Sequence, residues 1–258
     1  MNARIITMKG PDEFAKMAIA GQCVAAAHEA VREAAVPGAV MRDLDKIAEK
    51  VIRDRDCLPS FLGYHGTYPA STCLSPNSVI VHGIPGDYRL SEGDILSVDV
   101  GAIYEGWHGD AAFTMAIGEV PDSVTTLLEV TERALWNGIA KAAAGNRLGD
   151  VGHAVEATAA PHGYGVVREY IGHGIGRNMH EAPNVPNYGK PGKGLKLKTG
   201  MALAIEPMFN LGTAETAVLD DGWTVVTADG SLSAHFEHTV ALTDQGSMVL
   251  TLPEPVLV

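Results

Sequence analysis

A chain of 258 residues, 46% hydrophobic and 19% charged, is long enough for one large domain and is composed like an ordinary globular protein. Its 19 basic and 31 acidic residues give a net charge of −12, which leaves no basic footprint for phosphate backbones or anionic lipid, so no nucleic-acid or membrane partner is expected. Three sparse cysteines, no apolar run long enough to span a bilayer and no signal-peptide pattern at Met1–Thr7 favour the cytoplasm.

The elements follow in chain order. A helix is predicted near 11–35, with Pro11 suited to its first turn and Pro37-Gly38 stopping it, and a second over 43–55. Strands are predicted at Ile95–Val100 and Ala111–Ile117. Helices then recur at 122–143 and 149–160, and strands at Val166–Ile171, Met201–Met208, Trp223–Thr227 and His238–Leu242.

This order is a repeat. A shift of 107 residues brings Gly38 onto Gly145, Asp43 onto Asp150, Leu96 onto Leu203, Val98 onto Ile205 and Asp99 onto Glu206. With other offsets His82-Gly83-Ile84 resembles His173-Gly174-Ile175, and His108-Gly109-Asp110 resembles His235-Phe236-Glu237. No linker rich in Pro, Gly or Ser separates the halves, so residues 1–258 are expected to form one domain with internal duplication, the halves running roughly 11–117 and 118–246.

The repeated positions are acids and histidines. Asp99 and Glu206 each end an apolar strand, where an unpaired carboxylate costs several kcal/mol or takes up a proton. Asp110 and Glu237 lie one strand further on in each half. Four carboxylates balance two divalent cations, and oxygen donors with an imidazole suit Mn, Fe, Co or Zn. Such a pair of ions can share a bridging water and lower its pKa, which points to a hydrolase. His82, His173 and His180 sit in Gly-rich turns able to expose a ring to a cleft; His108, His235 and His238 neighbour the candidate ligands; His28, His153 and His162 read as core or surface residues. No Gly-x-Ser-x-Gly elbow, phosphate-binding loop or His-Glu-x-x-His helix is present.

Six motifs carry a resemblance: Val81-His82-Gly83-Ile84-Pro85, Ser97-Val98-Asp99-Val100-Gly101, Gly106-Trp107-His108-Gly109-Asp110, Gly172-His173-Gly174-Ile175-Gly176, Ala204-Ile205-Glu206-Pro207-Met208 and Glu237-His238-Thr239. In this order they resemble the type I methionine aminopeptidases in their minimal form, without an N-terminal zinc-binding extension. The resemblance implies an α/β (α+β) pita-bread fold of two pseudo-symmetric halves, with antiparallel sheet wrapped by helices. It implies a methionyl aminopeptidase that removes the N-terminal methionine of nascent peptides, preferably before a small second residue. Asp99 would bind one metal, His173 and Glu206 the other, and Asp110 and Glu237 both. Glu206 would take the proton of the bridging water, while His82 and His180 contact the scissile amide. Phe61, Tyr64, His65, Tyr68, Cys73, Met179 and Trp223 would line the methionine pocket. Partners would be nascent N-termini, with the ribosome a candidate and a monomeric state expected.

Three features depart from the family pattern. Met179 stands where an aromatic residue is common, Thr67 reads as an extra residue, and Phe61 replaces a smaller one. Asn2 is too large for the second-residue rule, so Met1 should be retained; a native mass beginning at Asn2 would contradict this. Rival readings are a same-fold enzyme cleaving Xaa-Pro bonds and a non-catalytic binding module.

Overall fold

The computed structural model describes residues 6–258, and the expectation about Met1 and Asn2 lies outside them. Helix α1 spans Pro11–Ala34, its start secured by the Glu13 carboxylate accepting from the Gly10 N–H at 2.8 Å. Helix α2 spans Met41–Asp54, opening two residues earlier than the periodicity predicts. The carbonyls of Tyr88 and Gly86 accept from the N–H groups of Met41 and Arg42, satisfying donors that a helix start leaves orphaned.

Short strands β1 (Leu58–Pro59), β2 (Thr72–Pro76) and β3 (Val79–Val81) lead to a long hairpin of β4 (Ile95–Tyr104) and β5 (Trp107–Ala116). Both turn residues, Glu105 and Gly106, have positive φ, as a twisted two-residue hairpin requires. The hairpin is longer than predicted because Gly101–Tyr104 pairs fully with Trp107–Asp110, a pairing that polar and glycine residues do not advertise.

Helices α3 (Asp122–Ile139) and α4 (Leu148–Ala159) open the second half. Helix α3 stops short of the predicted residue 143, where the chain tightens and then turns at Gly145 with φ +101°. Then come β6 (Gly165–Val166), β7 (Gly172–Gly174), β8 (Glu181–Val185), β9 (Ala202–Ile205), β10 (Met208–Asn210), β11 (Thr216–Val218) and β12 (Val225–Thr227). Strands β13 (Ser233–His235), β14 (Glu237–Thr243), β15 (Gly246–Val249) and β16 (Val256–Leu257) complete the chain.

Three predicted strands change. Val166–Ile171 survives only as β6, since Arg168 swings out to Glu156 and over the Tyr188 ring. Met201–Met208 splits at Glu206-Pro207, because Pro207 has no N–H for a ladder, and β10 joins a different sheet. Trp223 and Thr224 stay outside β12 because the Asp221 carboxylate takes both their N–H groups.

Among the described residues the main sheet has ten strands, in the order β1-β4-β5-β14-β9-β7-β8, with β2 also on β4 and β15-β16 continuing from β14. Strand alternation sorts its two faces. Val98, Val100, Ala111, Phe113, Leu203, Ile205 and Val240 enter the buried core, and Asp99, Asp110 and Glu237 take the opposite parity. Helix α1 lies against β4 and β5, and α3 against β13, β10 and β5.

The β5–β14 junction is where the halves meet. Only Glu237↔Ala112 and His238↔Ala111 form its ladder. On one side Thr239 Oγ1 donates to the Asp110 carbonyl at 2.8 Å and accepts from its N–H at 3.0 Å. On the other, Thr114 Oγ1 donates to the His235 carbonyl and accepts from its N–H, both at 2.8 Å. Two threonine hydroxyls therefore continue the register beyond the ladder. This local symmetry sets Asp110 against His235, whereas the sequence motifs equate Asp110 with Glu237.

Candidate metal centre

Beneath the junction lies a cavity of about 470 Å³ whose wall includes Asp99, Asp110, His173, Glu206 and Glu237. Asp99 comes from β4, Asp110 from β5, His173 from β7 and Glu237 from β14, while Glu206 stands at the break after β9. The backbone carbonyl of Glu206 accepts from the buried Asn187 side chain at 2.9 Å, which fixes that break.

The donors converge. His173 Nε2 is 3.6 Å from Glu206 Oε1, and His235 Nε2 is 3.9 Å from both Glu206 Oε2 and Glu237 Oε2. Ligand atoms of Asp110, His173 and Glu237 lie within 4.8 Å of one another, as do those of Glu206, His235 and Glu237. His173 Nδ1 is 2.9 Å from the Gly174 carbonyl, so Nδ1–H donates there and the Nε2 lone pair faces the acids.

The electrostatics describe a site short of positive charge. Burial, with neighbouring carboxylates adding, raises Asp110 and Glu237 well above the ordinary carboxylate range. Burial lifts Asp99 to about 7; burial and then Asp99 lift Glu206 to about 8. Burial holds His173 and His235 down to about 3, so both rings are neutral and able to donate a lone pair. Asp99 Oδ1, Asp110 Oδ1, Glu237 Oε1 and His235 Nε2 are buried without a hydrogen-bond partner among the described residues. Among the described residues the cavity wall includes no Lys or Arg. Orphaned oxygen and imidazole donors within a few ångströms of each other fit a divalent cation.

The remaining expected residues line the same cavity. Phe61, Tyr68, Cys73 and Met179 form one buried apolar cluster with Ala70, and Tyr64 and Trp223 pack against it. The edge of Tyr68 meets Trp223 at 5.1 Å between ring centroids, and Tyr64 meets His65 at 4.3 Å. His82 has φ +61° and sits between the rings of Tyr170 and Trp223. The His180 ring is 4.1 Å from that of His173. Burial lowers His82 and His180 to about 4.

Other histidines lie elsewhere. His108 Nδ1 is 2.9 Å from Ser60 Oγ, and His238 Nδ1 is 2.8 Å from Thr251 Oγ1, with its ring against Trp136 on α3. His153 and His162 are exposed. Sequence reasoning ranked His235 as a mere neighbour, whereas the structure aims it between two acids. It missed Asn187 and Thr114 altogether, and gave Thr239 a place in a motif but no role, because their role lies in hydrogen bonds to distant backbone.

The model of metallopeptidase family M24 matches residues 15–244. The chain is 52% identical over 256 residues to a methionine aminopeptidase 1 of Mycobacterium tuberculosis, with 96% of each chain covered. It is 47% identical to one of Bacillus subtilis, covering 96% of this chain and 99% of that one. A crystal structure of a methionine aminopeptidase from Thermotoga maritima superposes with TM-score 0.94 at 45% identity, covering 96% of this chain and all of that one. A prolidase from Pyrococcus furiosus, 21% identical with TM-score 0.75, shares the fold alone; the match covers 65% of its length.

Proposed function

From the premise that this chain belongs to metallopeptidase family M24, we propose how its residues act. Its fold is the pita-bread fold, and its activity is that of a methionine aminopeptidase, releasing the N-terminal methionine of peptides. The observation that carries the proposal is the meeting, in one cavity, of orphaned buried carboxylates with an apolar cluster.

Two divalent ions, of Co, Mn, Fe or Zn, would be held by Asp99 on one side and by His173 and Glu206 on the other, with Asp110 and Glu237 shared between them. Bound there, they would supply Lewis acidity, polarising the scissile carbonyl and making water acidic near neutral pH. The chain's own residues do the rest. Glu206 accepts the proton of the attacking water and returns it to the leaving nitrogen. His82 and His180, both neutral, hydrogen-bond the scissile amide and the charge that develops on its oxygen. Phe61, Tyr64, His65, Tyr68, Cys73, Met179 and Trp223 receive the methionine side chain. The flexible thioether of Met179 packs against the substrate's own. A small second residue is preferred.

This reading takes the chain as a monomer of the cytoplasm acting on nascent N-termini, with the ribosome a candidate partner. Three buried free cysteines support a reducing compartment. Among the described residues no helix is long and apolar enough to cross a membrane. It also takes residues 11–117 and 118–246 as two copies of one unit within a single domain.

The test strips the protein with a chelator and restores Mn, Fe, Co or Zn separately, without oxygen. Methionine release from Met-Ala-Ser should return, Leu-Ala-Ser and Ala-Pro should stay uncut, and Glu206→Gln should lose about a hundredfold or more in kcat. Preferential cleavage of Ala-Pro, or an active Glu206→Gln enzyme, would overturn the assignment.

A further inference from the structure

Tyr64 does more than line an apolar pocket. Its hydroxyl oxygen lies 2.5 Å from Nδ1 of His180, with ring centroids 5.4 Å apart and tilted by 44°. The turn that presents Tyr64 is firmly tied. Its N–H donates to the Phe61 carbonyl at 2.8 Å, its carbonyl accepts from Thr67 and Tyr68 at 3.1 Å, and Gly63 N–H reaches the Tyr68 carbonyl at 2.9 Å. Gly63, His65 and Gly66 all have positive φ, so the turn closes within a few residues and Thr67 is built into it.

One proton lies between these two atoms, and its owner decides what the other ring nitrogen can do. A phenol is a good donor and a poor acceptor, whereas an unprotonated imidazole nitrogen is a good acceptor. At neutral pH a phenol keeps its proton and an imidazole carries a single one. The hydroxyl therefore donates and Nδ1 accepts. The imidazole's own proton is left on Nε2.

We propose that Tyr64 is a positioning residue that fixes His180 in its Nε2–H tautomer, so that this ring acts as a hydrogen-bond donor to the scissile carbonyl oxygen. The inference rests on the reading of His180 as an amide contact and adds a cause for it. A neutral donor aimed at an oxygen that gains charge helps most in the transition state. The same tautomer has a second effect. His180 lies 4.1 Å, ring to ring, from His173, yet a protonated Nε2 has no lone pair to offer a cation, so His180 stays out of the ligand set.

The test uses Tyr64→Phe, which keeps the ring and removes only the hydroxyl. Ring-nitrogen NMR on protein labelled at histidine, metal-free and loaded with zinc, reads the His180 tautomer; His180→Gln identifies the signal. Wild type should show Nε2–H alone, and Tyr64→Phe should show both tautomers. In parallel, kcat on Met-Ala-Ser should fall about tenfold with KM little changed. An unchanged tautomer in Tyr64→Phe overturns the proposal, as does a higher KM at unchanged kcat, which would make Tyr64 a wall of the pocket. If no chain cleaved Met-Ala-Ser, the functional reading would fail while the NMR result still decided the role of Tyr64.

Discussion

His28 lies edge-on to Phe113, ring centroids 4.8 Å apart, and its Nε2 is shut off from solvent without a partner. Burial, and then the charges of His238 and Arg32, hold it down to about 3 against an ordinary 6.5. The unfolded chain takes up a proton across that interval and the folded chain refuses it, so this contribution is complete above pH 6.5 and declines as the pH falls towards 3. His28→Leu should therefore lose less stability than the parent between pH 7 and 4 in urea titrations; parallel losses would exclude His28 as a source. The five acid and imidazole candidates line one cavity, and the sequence singled them out because an acid at the end of an apolar strand needs a reason. His235 was not singled out, since its neighbours in sequence say nothing of the Glu206 carboxylate 3.9 Å away. Asn187 reads as a turn residue in a Gly- and Pro-rich stretch, and only the fold shows its amide holding Glu206.

Where Gly21 of helix α1 crosses Gly109 of β5, the two backbones meet without side chains between them. A Cβ on Gly109 would lie 2.7 Å from the Gly21 backbone nitrogen, and one on Gly21 would lie 2.2 Å from the Leu250 carbonyl oxygen. Gly109→Ala should cost about 1–3 kcal/mol by overpacking. Because Gly109 adjoins Asp110, the variant should also bind zinc more weakly. Calorimetry and a zinc titration check both, and an unchanged midpoint would mean the contact is slack. Helix positions were legible from apolar spacing and proline placement, and so were the apolar arms of the hairpin, whereas the polar and glycine stretch that joins them was not. The fate of Met201–Met208 was written in Pro207, yet where the second fragment would pair depends on β13 and β6, which lie far off in sequence.

The whole molecule carries its unbalanced acids between its halves: Asp99 and Asp110 come from the first, His173, Glu206 and Glu237 from the second. In the metal-free fold, Asp99 and Glu206 titrate near 7 and 8. Through these acids the native state keeps protons that the unfolded chain has lost, while below about pH 6.5 the buried histidines, held down to about 3 or 4, do the reverse, so it is above pH 6.5 that stability falls as the pH rises. Above pH 6.5, where the buried histidines no longer oppose this trend, metal-free protein should melt progressively lower up to pH 8. Zinc should raise the midpoint and remove the decline. A flat profile without metal would mean the acids are neutralised by something else. Thr239→Val should leave the Asp110 N–H and carbonyl unsatisfied and cost about 1–3 kcal/mol, read from the same melts.

The junction of β5 and β14 holds its register with two hydroxyls set either side of a two-rung ladder. A fastener of that kind is as readable between separate polypeptides as within one. Residues 6–118 and 121–258, made as independent fragments, carry complementary halves of the clasp, and each brings part of the candidate metal centre, Asp99 and Asp110 on one and His173, Glu206 and Glu237 on the other. Metal should then drive their reunion, and valine at both Thr114 and Thr239 should leave them strangers.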